Sequence, residues 1–385
     1  MKTILQVLPE LETGGVERTA VDMAQATIRN GWTAIVASQG GWLVAELDQI
    51  GAQHIKMPLK SKNPIVMLRN VGRLTRLIEE HKVDIVHARS RAPAWSALLA
   101  SRRAKKPFVT TYHGAYNQNS RLKGLYNSSM VRADTVIANS NYIADLIATR
   151  HPFAKDHTTV IYRGTDLTAF SEGAKNRVQA SVLRRRWGLP DSARIILNIA
   201  RLTPWKGQAG IIEAFTSLAE KDASLHLVLA GHAQGRKKYR QSLVNQINAA
   251  NLKERVHLVG HCADIPAAIE LAECSVVGSI EPEAFGRAAV EAQAGGKPVV
   301  VTDLGAVPET VLAPPQVDPS SRTGWRVQPG DVQQMAQAFD EALSMDETDR
   351  RKFAERCKRH VAEHFTLQKM TEQTLDVYRK LLFDQ

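Results

Sequence analysis

Cysteine is scarce: Cys262, Cys274 and Cys357 are the only three in 385 residues. They show neither a C-x-x-C pair nor Cys/His ligand spacing, which excludes a disulfide framework and a zinc site and fits a reducing compartment. No apolar run approaches the ~18 residues of a membrane span. The opening MKTILQVLPELE is broken by Pro9, Glu10 and Glu12 with no small-residue cleavage site behind it, so it reads as a first strand and not a signal peptide, and a cytoplasmic protein is expected. G-x-G-x-x-G is absent after the first strand, which counts against an NAD-dependent dehydrogenase. Asp-x-Asp is also absent, so a site that neutralises a diphosphate must do so without the divalent ion such a pair holds. No internal repeat or low-complexity segment is present.

Positive charge is present in excess, with a net charge of +11. Residues 1–165 hold 22 Lys and Arg against 12 Asp and Glu, whereas residues 166–385 hold 28 against 27. A basic N-terminal half attracts nucleic acid, an anionic membrane or an anionic substrate, and charge alone does not choose among them. A non-catalytic nucleic-acid binder would explain the charge, but the aromatic-rich basic surface of RNA-binding modules is missing. The segment IVMLRNVGRLTRLIEE (65–80) predicts a helix with Leu68, Val71, Leu74, Leu77 and Ile78 on one face and Arg69, Arg73 and Arg76 at its margins. Such a helix either packs on a sheet or docks on anionic lipid, making peripheral contact at the inner face of the membrane.

Short β-branched runs alternate with helical patterns. ILQVLP, TAIVAS, DIVHA, FVTTYH and TVIANS form one series, and RIILNIA, LHLVLAG, VHLVG, CSVVGS and PVVVTD form a second. That alternation predicts an α/β protein of two doubly wound parallel-sheet domains. The expected boundaries are 1–165 for the first domain, 166–190 for a linker, 191–365 for the second domain, and 366–385 for a closing helix with Leu367, Met370, Leu375, Tyr378, Leu381 and Leu382 at helical spacing. In open parallel sheets, ligands bind beyond the carboxyl ends of the strands, so residues just after strands carry the chemistry.

After the first strand, Gly14 and Gly15 open a helix, which lets backbone approach a phosphate or sugar. After RIILNIA, the loop Arg201-Leu-Thr-Pro-Trp-Lys206-Gly207 places two cations at a helix start, where they can clamp a diphosphate. CSVVGS is followed by Glu281-Pro-Glu283-Ala-Phe285-Gly286 and a helix carrying Glu291. A loop carboxylate at Glu283 can accept hydrogen bonds from sugar hydroxyls, one at Glu291 can reach a ribose, and amides around Phe285 and Gly286 can meet phosphate. His87, at the end of DIVHA, is a candidate acceptor contact, with packing as the competing role.

The set GGVER, ARLTPWKG and EAFGRAAVEAQAGGKPVV resembles retaining glycosyltransferase family 4 across nearly the whole chain. The resemblance implies the GT-B fold, two Rossmann-like domains facing across a cleft, and hexosyl transfer from a UDP- or GDP-linked sugar with no metal cofactor and no covalent nucleophile. It assigns Gly14 and Gly15 to the diphosphate and acceptor side, and Arg201 and Lys206 to the diphosphate. It places Glu283 and His113 (in TTYHG) beside the transferred sugar and Glu291 on the ribose. ILQVLPELETGGVER and HARSRAPAW resemble the members that build lipopolysaccharide core, which implies a lipid-linked or oligosaccharide acceptor. The chain departs from the family pattern at Tyr162-Arg163, where Pro-Asn is usual, and LAGHAQG lacks the usual G-x-G.

Overall fold

In the computed structural model the β-branched runs become parallel strands whose residues are buried on both faces, as expected when helices cover both sides of a sheet. The structure describes all residues except Thr13, Asn117, Asn119, Glu172, Asp384 and Gln385; the last two fall in the segment expected as the closing helix. The chain divides into two units, 1–164 with 367–385, and 165–366.

In the first unit the described residues form strands β1 (Thr3–Val7), β2 (Thr33–Ser38), β3 (Gln53–Lys56), β4 (Ile85–Ala88), β5 (Phe108–Tyr112), β6 (Thr135–Ala138) and β7 (Thr158–Val160). All are parallel, in the order β3-β2-β1-β4-β5-β6-β7. The second unit has β8 (Arg194–Ile199), β9 (Leu225–Ala230), β10 (Val256–Gly260), β11 (Cys274–Val277), β12 (Val299–Thr302) and β13 (Trp325–Val327), in the parallel order β10-β9-β8-β11-β12-β13. Both orders are those of a dinucleotide-binding α/β sheet, with the direction of winding reversing between β1 and β4 and between β8 and β11. The expected fold class is what the chain adopts. The strands that sequence patterning missed, β3, β7 and β13, are three or four residues long, and β3 reads QHIK with its ends exposed. Edge strands this short leave no run long enough to detect.

One stretch sits differently from its expected place, and the closing helix forms as expected. Residues 166–190, expected as a linker, carry the helices Leu167–Ser171 and Gly173–Arg186, and Leu183 and Leu189 join the core of the second unit with Ile195, Val228 and Ile269. The helix Leu367–Phe383 belongs to the first unit, where Met370, Leu375 and Tyr378 pack with Ile4, Met23, Ile85 and Val109. Helix Pro64–Glu80 buries Leu74, Leu77 and Ile78, but Leu68, expected on the same face, is 71% exposed.

At the start of β8, Arg194 forms a bidentate hydrogen bond with Glu273 and another with Asp222 at 2.8 Å, tying together the amino ends of β8, β9 and β11. At the other end of the sheet, Gly207 adopts φ +69° after the turn Pro204–Lys206, and a Cβ there would lie 1.7 Å from the carbonyl oxygen of Gly278. Only glycine fits. Gly210, in the following helix, has nothing within 4 Å of its Cβ position. Gly207→Ala is therefore expected to cost about 2 kcal/mol or more, lowering the calorimetric midpoint of the second unit by about 4 °C or more. Gly210→Ala should leave that midpoint unchanged or raise it, and equal midpoints for the two variants would contradict the close approach.

Candidate active site

In the second unit, the loops after β8 and β11 flank the point where the winding reverses. They are joined by the amide of Ile280 donating to the carbonyl of Trp205 at 2.8 Å. The Lys206 ammonium forms an ion pair with the Glu283 carboxylate, with side-chain exposures of 16% and 12%. The Ser279 hydroxyl donates to the same carboxylate at 2.5 Å, and Lys206 Nζ lies 4.2 Å from the centre of the Trp205 ring. Glu283 is fixed through its backbone as well. Its carbonyl accepts from the Ala306 amide at 2.9 Å, and a Cβ on Gly305 would lie 2.3 Å from that carbonyl oxygen.

Arg201 is exposed, with Nη1 donating to Gln234 at 3.5 Å, while its carbonyl accepts from the fully buried Gln208 at 3.0 Å. Phe285 is buried edge-to-face on Phe365, and Gly286, at φ +87°, caps the helix Arg287–Ala294. Its positive φ turns the loop into that helix, and its carbonyl accepts from the Ala289 and Val290 amides. Glu291 is buried about one turn along that helix, accepting from Arg287 Nε at 2.7 Å.

In the first unit, Gly14 caps the helix Gly15–Arg29 at the end of the β1 loop. His87, on β4, is fully buried. Its Nδ1 lies 2.6 Å from the Tyr378 hydroxyl and its Nε2 lies 2.7 Å from the Thr111 hydroxyl. His113 follows β5. Its Nδ1 accepts from Arg163 at 3.3 Å, and its Nε2 is buried without a hydrogen-bond partner among the described residues. Arg89, just after β4, is buried beside Tyr378 and bonded to Gln6. No group of three His, Cys, Asp or Glu able to hold a metal occurs among the described residues.

Residues 13–169 match Glycosyltransferase Family 4, and residues 180–360 match Glycosyl transferases group 1. A glycosyltransferase from Rickettsia africae ESF-5 is 33% identical, with a TM-score of 0.88 over 100% of this chain and 99% of that one. The chain belongs to the group 1 glycosyltransferases. Anabaena HepE, solved in complex with UDP-glucose, has the same GT-B fold at 24% identity and a TM-score of 0.84, covering 99% of this chain and all of its own. So does WaaG, a glycosyltransferase involved in lipopolysaccharide biosynthesis, at 16% identity and a TM-score of 0.74 over 97% and 99% of the two chains. Membership selects glycosyl transfer over the dehydrogenase and nucleic-acid readings.

In this glycosyltransferase the two expected charges that meet are Lys206 and Glu283; Arg201 joins neither. Of the two roles weighed for His87, the structure favours packing: with both ring nitrogens engaged and no exposure, it holds β4, β5 and the C-terminal helix together. Sequence reasoning passed over Ser279, Gln208, Thr111 and Arg89. Each lies within two residues of a strand's carboxyl end or opens a helix, a positional signal, but their partners are 4 to 83 residues distant in the chain. Arg163 carried a signal of its own, as a departure from the family pattern.

Burial, reinforced by Arg89 and the neighbouring His113, holds His87 well below its ordinary value of 6.5. Burial, Arg163 and Arg89 do the same for His113. A base whose pKa falls on folding is protonated first in the unfolded chain, so stability present above 6.5 is lost as pH drops below it. Each histidine contributes a slope of at most about 1.4 kcal/mol per pH unit. Urea unfolding of the first unit's signal should show stability declining below about pH 6.5, with a shallower decline in H87N/H113Q. The same slope in both proteins would mean these rings are not the cause.

Proposed function

We propose that this glycosyltransferase moves a hexosyl group from a nucleoside-diphosphate sugar to a saccharide acceptor with retention of anomeric configuration. The observation that carries the reading is the Lys206–Glu283 pair at the winding reversal of the second sheet. An ammonium held there opposes the negative charge that grows on a departing diphosphate, and its carboxylate partner accepts from sugar hydroxyls. Arg201 adds a second cation, Glu291 faces the ribose, and the amides following Phe285 and Gly286 approach phosphate. Gly14 and Gly15 leave room on the acceptor side, and His113 lies beside the transferred sugar.

In the proposed reaction the bond from the anomeric carbon to the phosphate oxygen breaks, and the bond to the acceptor oxygen forms on the same face. The acceptor proton passes to the departing phosphate oxygen, so no enzyme nucleophile takes part. Cationic side chains and helix amides supply the positive charge, so no metal is required. The UDP-glucose complex of HepE supports a nucleotide-sugar donor, and the fold shared with WaaG together with the basic N-terminal half supports an anionic, lipid-linked acceptor in lipopolysaccharide core or another envelope glycan.

Peripheral membrane contact, at the cytoplasmic face, forms part of the same reading. Helix Pro64–Glu80 exposes Ile65 and Leu68 at 63% and 71%, and Arg69, Arg73 and Arg76 line a shallow groove with Arg103. Each such cation contributes about 1 kcal/mol near an anionic leaflet. No helix among the described residues is long and apolar enough to cross a membrane.

Hydrolysis of UDP-glucose, UDP-N-acetylglucosamine and GDP-mannose, followed by transfer to purified core oligosaccharides with EDTA present, tests the reaction. Lys206→Ala should lower kcat by roughly 10²-fold without loss of fold, and Glu283→Gln should lose turnover more than nucleotide affinity. An inverted anomeric centre by NMR, or an absolute metal requirement, would refute the mechanism. For the membrane, R69Q/R73Q/R76Q should reduce cosedimentation with phosphatidylserine vesicles, and wild-type binding should weaken as salt screens charges beyond about 8 Å. Equal binding to neutral vesicles would remove that part.

A further inference from the structure

Arg163 occupies one of the two positions at which VIYRGTD departs from the family pattern, and it donates through Nη2 to Nδ1 of His113 at 3.3 Å. A guanidinium has donors only, so Nδ1 is the accepting nitrogen and the ring proton resides on Nε2. Nε2 is buried and finds no acceptor among the described residues. A buried N–H without a partner is unfavourable, so the site calls for an oxygen that the described residues do not supply.

We propose that Arg163 is a positioning residue that locks His113 as the neutral Nε2–H tautomer, aiming that hydrogen bond at a hydroxyl or ether oxygen of the bound sugar. His113 is then a hydrogen-bond donor and takes no proton from the acceptor. The proposal rests on the placement of His113 beside the transferred sugar.

The surroundings favour the neutral ring. Arg163 approaches from the segment after β7 and Arg89 from the loop after β4, and these are the charges acting on His113. His87 on β4, itself kept neutral by burial, and the Tyr116 hydroxyl, which accepts from the His113 amide at 3.4 Å, bring no negative charge. Burial and the two guanidiniums hold the imidazole well below its usual titration range. An uncharged residue at 163 would leave both ring nitrogens able to carry the proton and would weaken the barrier to protonation.

Nitrogen-detected NMR of the His113 ring, identified by its loss in H113Q, reads the tautomer directly in the whole protein. Wild type should be neutral with the proton on Nε2 at neutral pH and remain so as pH falls below 6.5, the ordinary value. R163M should show mixed tautomers and protonation nearer 6.5, the ordinary value. In hydrolysis of whichever panel donor turns over fastest, R163M should lose roughly three- to tenfold in kcat at neutral pH, with little change in KM, and gain a new acid limb. R163K, whose ammonium like the guanidinium carries donors only, should keep the tautomer, most of the neutral-pH rate and the wild-type pH profile. A wild-type ring protonated on Nδ1 overturns the proposal, as does an R163M protein with unaltered ring spectrum and pH profile while H113A is inactive. Full activity of H113A at every pH instead overturns the placement of His113 on which the proposal stands.

Discussion

The contact between Gly207 and the carbonyl of Gly278 governs the second unit. It draws the loop after β8 against the loop after β11 at a distance that admits no side chain, with Gly207 in the left-handed region. That approach brings the Trp205 carbonyl to the Ile280 amide and Lys206 to Glu283. Gly305 repeats the device on the far side of Glu283, where another backbone passes too close for a Cβ. A mostly buried ion pair is a poor source of stability, because desolvation offsets much of the attraction. Its presence where three backbones converge is better understood as a constraint on orientation: each charge holds the other between the loops after β8 and β11.

The first unit depends on a buried polar network. Tyr378, on the last helix, reaches His87 on β4, which reaches Thr111 on β5, while Arg89 joins Gln6 on β1. Burial pushes the Tyr378 phenol up to about 12, so it remains a neutral hydrogen-bonding group. Polar groups in a low-dielectric interior are costly when unpaired and specific when paired. The network therefore fixes where the returning C-terminal helix docks, and it surrounds His113 with cations and neutral groups instead of carboxylates.

The two units divide their charge as they divide their chemistry. Exposed arginines gather on helix Pro64–Glu80 and its neighbour in the first unit. In the second unit, Arg194, Arg287 and Lys206 each meet a carboxylate. The cations on that helix face are thus exposed, whereas Arg194, Arg287 and Lys206 are committed to internal geometry.

Fold class was legible because buried parallel strands are continuous β-branched runs, as in RIILNIA and PVVVTD, and because loops after strands announce themselves by glycine and charge. Lys206, Glu283 and Glu291 could be singled out on those grounds, since short-range patterning marks the end of a strand and the start of a helix. Edge strands β3, β7 and β13 were not legible, being too short or too polar to leave a pattern. Nor was the membership of the segments at 166–190 and 367–383, because which unit a helix joins depends on the surface that receives it. The contacts made by His87 and Arg163 lay further out of reach. Their partners, Tyr378 and His113, are 291 and 50 residues away. Sequence determined which side chains stand at the strand ends. Tertiary structure alone decided which ring nitrogens are occupied and which one is left to donate, because hydrogen-bond partners are chosen by distance in space, and periodicity along the chain carries no record of it.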